Sequence, residues 1–425
     1  MTARLSAASS SPISASREWA RTNLFSTTGS SVLTAVVAAV SWGVLFGFGL
    51  PSQLAALATF DWPGLLGGGL IRFVFDSADW SVVETNRRLY FLGRFPQGDA
   101  WRVWVILYSV SGLAGVSAGL WTSIGRRLAL LFAATLIPIF LFIQGGEVAL
   151  LTAGTIALFA GCYAGAKYLV ATRPFASGAR SFVIAAWLLS FLVTMFLLRG
   201  VDTLLWGGLL LTIVLTFVGI IAAFPIGVLL AVGRASTFPV IRVFCTAYIE
   251  LIRGVPLITI LFMALFFLPL MVEPERSAGP IPLTGFELDI VARAMIAITV
   301  FSSAYLAETV RGGLQAIPRG QVEAAQALGL STPRILALIV LPQALRAVIP
   351  AIVGQFISLF KDTSLIFILG LTDLLGAARL VTAQQEFFGL QAESLLFAAL
   401  LYWIIAFSMS RASQQLERNL GVGER

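Results

Sequence analysis

Runs of about twenty apolar residues, following one another with short polar intervals, constrain this chain more than any other feature. A hydrocarbon core about 30 Å thick is crossed by roughly 20 residues of α-helix. Such runs occupy 31–50, 101–122, 128–144, 147–170, 181–199, 203–232, 243–271, 288–310, 336–360 and 394–413. Inside lipid every backbone amide must find its partner within the protein, so runs of this length fold as helices. Composition agrees, since 58% of the 425 residues are hydrophobic and only 12% are charged, the balance of a membrane protein rather than of soluble domains. The expected fold class is therefore all-α, a polytopic membrane protein. Residues 1–30, rich in Ser, Ala and Thr, bury too little apolar surface to fold alone and read as a tail.

Charge sets the expected topology. The net charge of +7 could point to nucleic acid, but the arginines sit at the ends of apolar runs rather than in a basic stripe. Arg126, Arg127, Lys167, Arg173 and Arg180 gather in two of the early loops, which the positive-inside rule makes cytoplasmic. Ten spans then leave both termini inside. Arg234, Arg242, Arg319, Arg334, Arg411, Arg418 and Arg425 fall on the cytoplasmic side, and Glu273, Glu275, Glu287 and Asp289 surround an external loop. The run 31–50 resembles a signal-peptide core in its apolarity, but it is long enough to span and is read as an uncleaved first helix. Residues 51–100 form a polar, nearly neutral excursion expected outside, in which the glycine-rich piece 64–75 could dip into the membrane.

Several chemistries are excluded by what the chain lacks. There is no histidine, so His-based acid–base catalysis and His metal ligation are absent. Cys162 and Cys245 lie in apolar stretches without CxxC spacing and read as small buried side chains. No GxxxxGK[ST] phosphate loop is present, nor a clustered nucleophile and base. The chain reads as no enzyme, and it is expected to hold no cofactor and no metal of its own.

Between the eighth and ninth runs the chain reads QVEAAQALGLSTPRILALIVLPQALRAVIP, from Gln321 to Pro350. Ala324, Ala325 and Ala327 are small residues on an expected cytoplasmic helix, which Gly329 ends with a permissive backbone. Ser331, Thr332 and Pro333 then supply the cap and first turn of the next helix. The product is a compact helical knob whose small side chains allow close approach, with Glu323 available to meet a basic rim. An ordinary hairpin between two spans would use the same residues.

The spacing of Glu323, Ala324, Ala325, Gly329, Ile339, Leu341 and Pro342 resembles the EAA loop of ABC-importer permeases. GGLLLTIVLT at 207–216, YIELIRGVPLI at 248–258, AYLAETVRGGLQAIPRGQ at 304–321 and LFKDTSL at 359–365 resemble permeases of the histidine/glutamine type. The extra N-terminal runs and FPQGDAWRVW at 95–104 resemble the M-type permease of general L-amino-acid importers. The resemblance implies a five-helix permease core at 203–413, with a cytoplasmic coupling loop at about 311–335 and a cytoplasmic tail at 414–425. An extension at 31–199 would contribute about five further spans. It also implies an inner-membrane subunit that moves L-amino acids by alternating access. Its partners would be a related second permease, two ATPase subunits that bind ATP and Mg, and a periplasmic binding protein. The seven motif residues would carry ATPase coupling. An ion-coupled secondary transporter is the alternative, although no inverted repeat is evident.

Ionisable residues at membrane depth supply the remaining candidates. Glu250 and Arg253, and likewise Glu308 and Arg311, are three apart on expected helices and can meet on one face. They read as internal ion pairs or as part of a polar pathway. Lys361 and Asp362 interrupt two apolar stretches among Ser358, Thr363 and Ser364, a polar break suited to an amino acid's ammonium and carboxylate. Ser302 and Ser303 either line the same path as Glu308 or bond the preceding helical turn.

Overall fold

The computed structural model describes residue 37 and residues 78–120, 146–172, 178–272 and 289–420. It divides into two units, Met1–Trp80 and Ser81–Arg425, and the helices that build the bundle belong to the second. The expected tail 1–30, the runs 31–50 and 128–144 and the piece 64–75 lie outside the described residues, Val37 excepted.

The described residues are helical. Two short helices, α1 (Ser81–Thr85) and α2 (Arg87–Leu92), precede α3 (Ala100–Leu120), α4 (Gly146–Thr172) and α5 (Gly178–Leu198). The second half contains α6 (Gly208–Arg234), α7 (Pro239–Arg253), α8 (Leu257–Val272) and α9 (Ile290–Gln315). It continues with α10 (Arg319–Ala327), α11 (Thr332–Ile335), α12 (Leu341–Asp362), α13 (Leu374–Thr382) and α14 (Gln391–Leu420). Among the described residues six helices are long and apolar enough to cross a membrane: 97–120, 150–170, 208–234, 290–315, 332–369 and 391–414. Ala185–Leu198 is a shorter apolar helix on the expected run 181–199. Residues 81–99, within the expected polar excursion, fold as α1, α2 and a turn and pack on the core. Helix α14 runs on to Leu420, past residue 413, where the last span was expected to end.

The expected span 243–271 is not one helix. It is α7 and α8, bent by 106° at residues 254–256. Pro256 has no N–H to donate and disfavours helical geometry at Val255, so the chain breaks there. The Gly254 amide caps α7 by bonding the Glu250 carbonyl at 3.0 Å.

Among the described residues, two large apolar clusters hold the helices of the second half together. One joins Leu211 and Leu215 of α6, Leu261 of α8, Ile298 of α9 and Ile366 beyond α12. The other joins Ala223 and Leu230 of α6, Ile249 of α7, Leu306 and Val310 of α9 and Ile352 of α12. Helix α6 lies close along α9. At Gly227 a Cβ would stand 2.7 Å from the Leu306 Cβ and 3.0 Å from the Ser303 carbonyl, so only hydrogen fits. Such small-residue contacts carry helix association where lipid removes the hydrophobic drive. In the first half, Ser111 of α3 donates to the Thr155 carbonyl of α4 at 2.7 Å, and Trp187 of α5 donates to Ser117 at 3.0 Å.

The end of the bundle away from α10 is tied by polar contacts. Asp373, fully buried, caps α13 through the amides of Gly376 at 2.9 Å and Leu375 at 3.3 Å, and accepts from the Tyr402 hydroxyl at 2.9 Å. Burial pushes the Asp373 carboxyl above its ordinary range. The hydroxyls of Tyr90 on α2 and Ser394 on α14 are 2.5 Å apart, and Ser394 also donates to the Ala378 carbonyl of α13 at 2.8 Å.

Candidate functional site

A cavity of about 230 Å³ opens between α6, α9 and α12. Its wall is apolar at Gly219, Ile220, Ala223, Leu306 and Leu359 and aromatic at Phe301, Tyr305 and Phe356. Four polar residues interrupt it: Ser302, Gln355, Ser358 and Asp362. Gln355, Ser358 and Asp362 share one face of α12 because their spacings of three and four residues bring them into register. Helix α12 ends at Asp362, where the backbone tightens into a 3-10 turn over Thr363–Leu369.

Adjacent residues turn away. A helical step of about 100° per residue sends Ser303, fully buried, toward α7, where it meets the Tyr248 hydroxyl at 2.9 Å and donates to the Val300 carbonyl at 2.8 Å. Thr363, also buried, donates back to the Phe360 carbonyl at 2.7 Å. Ser364 is half-buried, and Lys361 is exposed. Neither Ser303, Thr363 nor Ser364 is part of the cavity wall.

Glu308 also lies off the cavity wall, one turn beyond Tyr305 toward α10. It accepts from Arg311 with Nε at 3.0 Å, and faces Arg234 at 3.4 Å and Arg253 at 3.6 Å. Arg234 in turn holds Glu250 at 2.9 Å. The expected Glu308–Arg311 contact forms within α9. Glu250 instead reaches the end of α6, and Arg253 reaches Glu308, because the bend after α7 swings its last turn onto α9. Five charged residues from three helices thus make one knot. The Arg253 guanidinium also lies over the Tyr305 ring, 5.7 Å from its centre, linking the knot to the cavity.

Helix α10 and the turn after it form the exposed knob. Ala325 is buried beneath it, whereas Glu323, Ala324, Gln326, Ala327 and Leu328 face outward. Gly329 takes φ +76°. Its amide bonds the Gln326 carbonyl at 2.8 Å and the Leu330 amide bonds the Ala325 carbonyl at 3.2 Å, the paired bonds of a Schellman cap. Beyond α11 the helix widens into a π turn at Leu336–Val340. That turn contains Ile339 and leads into Leu341 and Pro342, whose ring supplies no N–H to the preceding turn.

Sequence reasoning missed Gln355, Tyr305, Arg234 and Asp373. Gln355 and Tyr305 read as ordinary helix residues until the fold brings α9 and α12 together. Arg234 was visible only as a charge at a span end. Asp373 did carry a local signal, an Asp immediately before a helix. Among the described residues no group of three or more His, Cys, Asp or Glu could hold a metal ion.

A bundle of apolar spans, with a partly polar cavity walled by three of them and a structured helical knob at one end, defines a polytopic membrane permease. Residues 223–422 match the family described as the binding-protein-dependent transport system inner membrane component. The chain is 34% identical to the inner membrane amino-acid ABC transporter permease protein YhdY of Escherichia coli K12, over 95% of this chain and 93% of that protein. It is 33% identical to the glutamate/glutamine/aspartate/asparagine transport system permease protein BztC of Rhodobacter capsulatus, again over 95% and 93%. A solved structure described as an amino acid ABC transporter with histidines matches at 28% identity and a TM-score of 0.41, over 50% of this chain and 92% of that one. The chain belongs to the family of binding-protein-dependent transport system inner membrane components, the permease subunits of bacterial ABC importers. It is a transport subunit, with ATP hydrolysis on a separate subunit, and the ion-coupled reading is left without support.

Proposed function

We propose that this permease carries L-amino acids, polar or of broad specificity, across the bacterial inner membrane by alternating access, and that the cavity between α6, α9 and α12 is where it holds them. The observation that carries this reading is the composition of the cavity wall. Asp362 offers a carboxylate to the substrate ammonium, the hydroxyls of Ser302 and Ser358 are in reach of its carboxylate, and the remainder is apolar. The amino-acid transport named for its full-length relatives supports the same substrate class. Glu308 takes part in this pathway from below the cavity, through the ionic knot.

The exposed α10 knob is the docking element for an ATPase subunit, with Glu323, Ala324 and Gly329 setting its outer surface and end. Ala325 holds it to the bundle, and Ile339, Leu341 and Pro342 carry its movement into α12. ATP and Mg belong to two ATPase subunits, and this chain needs no cofactor. A related second permease completes the membrane unit as a heterodimer, and a periplasmic binding protein delivers substrate. Both termini face the cytoplasm, as does the knob.

The test is uptake of radiolabelled L-amino acids by the complete transporter in proteoliposomes, comparing the native chain with Asp362→Asn. Uptake falls by about tenfold or more, as expected when a charge-assisted contact is lost from a binding site. Unaltered uptake by this variant, at equal insertion, overturns the assignment of the cavity.

A further inference from the structure

Gln355 stands in the cavity wall with its amide fixed in one orientation. Its Nε2 donates to the Tyr305 carbonyl at 3.1 Å and to Thr309 Oγ1 at 2.6 Å, both on α9. A carbonyl can only accept, so the amide nitrogen must occupy that side and the oxygen the other. Thr309 is itself anchored, donating to the same Tyr305 carbonyl at 3.2 Å. Both Nε2 protons are therefore used. Oε1 is buried and has no hydrogen-bond partner. Buried acceptors without donors are rare in native proteins and call for an explanation.

Position along α12 gives the explanation. Gln355 and Asp362 lie seven residues apart on the same face, about 10 Å along the axis, with Ser358 between them. If Asp362 and the serines hold the charged end of an amino acid, Gln355 is at the far end, where the side chain arrives. Among the described residues no Lys or Arg belongs to the cavity wall. An acidic side chain reaching Gln355 would place acceptor against acceptor, and an aliphatic one would leave Oε1 unpaired. A side-chain N–H satisfies it.

We propose that Gln355 is a specificity-determining residue of this cavity, its Oε1 accepting from the side-chain N–H of an amide-bearing amino acid and disfavouring acidic and aliphatic ones. This rests on the cavity being the substrate's site. Thr309 is a positioning residue that keeps the amide from flipping.

The experiment is equilibrium binding of tritiated L-glutamine to the solubilised, ATP-free complex of this chain with its partner subunits, without binding protein. L-glutamate and L-leucine serve as competitors. The native complex prefers glutamine to glutamate by about tenfold or more, as sites built around a hydrogen bond discriminate. Gln355→Leu weakens glutamine binding about tenfold and leaves leucine within about twofold. Thr309→Val, outside the cavity wall, produces a smaller loss in the same direction and carries the test if Gln355→Leu does not assemble. An unchanged glutamine-to-glutamate ratio in these variants, with Asp362→Asn abolishing binding of all three, overturns the role of Gln355 and leaves the cavity assignment standing. Native binding of all three by Asp362→Asn removes the cavity assignment and this proposal with it.

Discussion

Glu308 on α9 and Arg253 at the end of α7 stand 3.6 Å apart, an ion pair that reaches across the bend before α8. With Arg234 and Arg311 also on Glu308, one carboxylate serves three guanidinium groups. Each of these residues is about a quarter to a third exposed, so each pair is worth less than about 1 kcal/mol. Their geometry matters more than their sum.

Glu308→Gln removes the shared acceptor and leaves three arginines with Glu250 alone. We expect the solubilised complex to lose about 1–2 kcal/mol of stability, read as a lower melting temperature, and uptake to fall further than folding alone accounts for. Full uptake in this variant would show the knot to be dispensable.

Glu323 is exposed on the outer face of α10. Glu323→Lys should insert and assemble normally, while uptake per ATP hydrolysed falls by about tenfold through like-charge contact with a basic rim. Parallel uptake and ATPase assays on one preparation give the ratio directly.

Gly329 owes its identity to conformation, since a Cβ there would meet nothing within 4 Å. Gly329→Ala therefore costs about 1–2 kcal/mol for a left-handed residue, and Gly329→Asn costs less. The order native, Asn, Ala should appear both in melting temperature and in the transport-to-hydrolysis ratio.

Asp373 is expected to give a pH-dependent contribution. Because burial raises its folded-state pKa, the folded chain binds this proton more tightly than the unfolded one. Its contribution is present below the ordinary carboxylate pKa of about 3.9 and is lost as pH rises through the folded value. Asp373→Asn should flatten that slope in melting curves taken across acidic pH. It should also weaken the α13 cap and the Tyr402 contact, by about 1–3 kcal/mol near neutrality.

Much of the bundle was legible because a span declares itself in a single apolar run: α6, α9 and α14 sit where such runs predict them. The bend at Pro256 was less so. The run 243–271 is apolar on both sides of Arg253–Leu257, and only the charge, glycine and proline within RGVP signal the break. At the cavity, Ser302 and Asp362 were found because polar residues stand out in apolar surroundings, but sequence could not separate them from Ser303 and Thr363. One helical step decides which neighbour faces the cavity, and that phase is set by packing of α9 against α7 and of α12 against α14. Gln355 was invisible for a different reason: its meaning lies in an oxygen left without a donor, which exists only once α9 has claimed the other end of the amide.

The contact between Tyr90 and Ser394 has a consequence for how the two halves of the chain can move. Because α2 is fastened to α14 and, through Ser394, to α13, the leading segment is no loosely hinged appendage but a strut built into the transport machinery. A rocking motion that carried α14 would drag residues 81–92 with it, and a shortened chain starting at Gly208 would uncover the Ser394 hydroxyl and the Phe397 ring that Tyr90 covers.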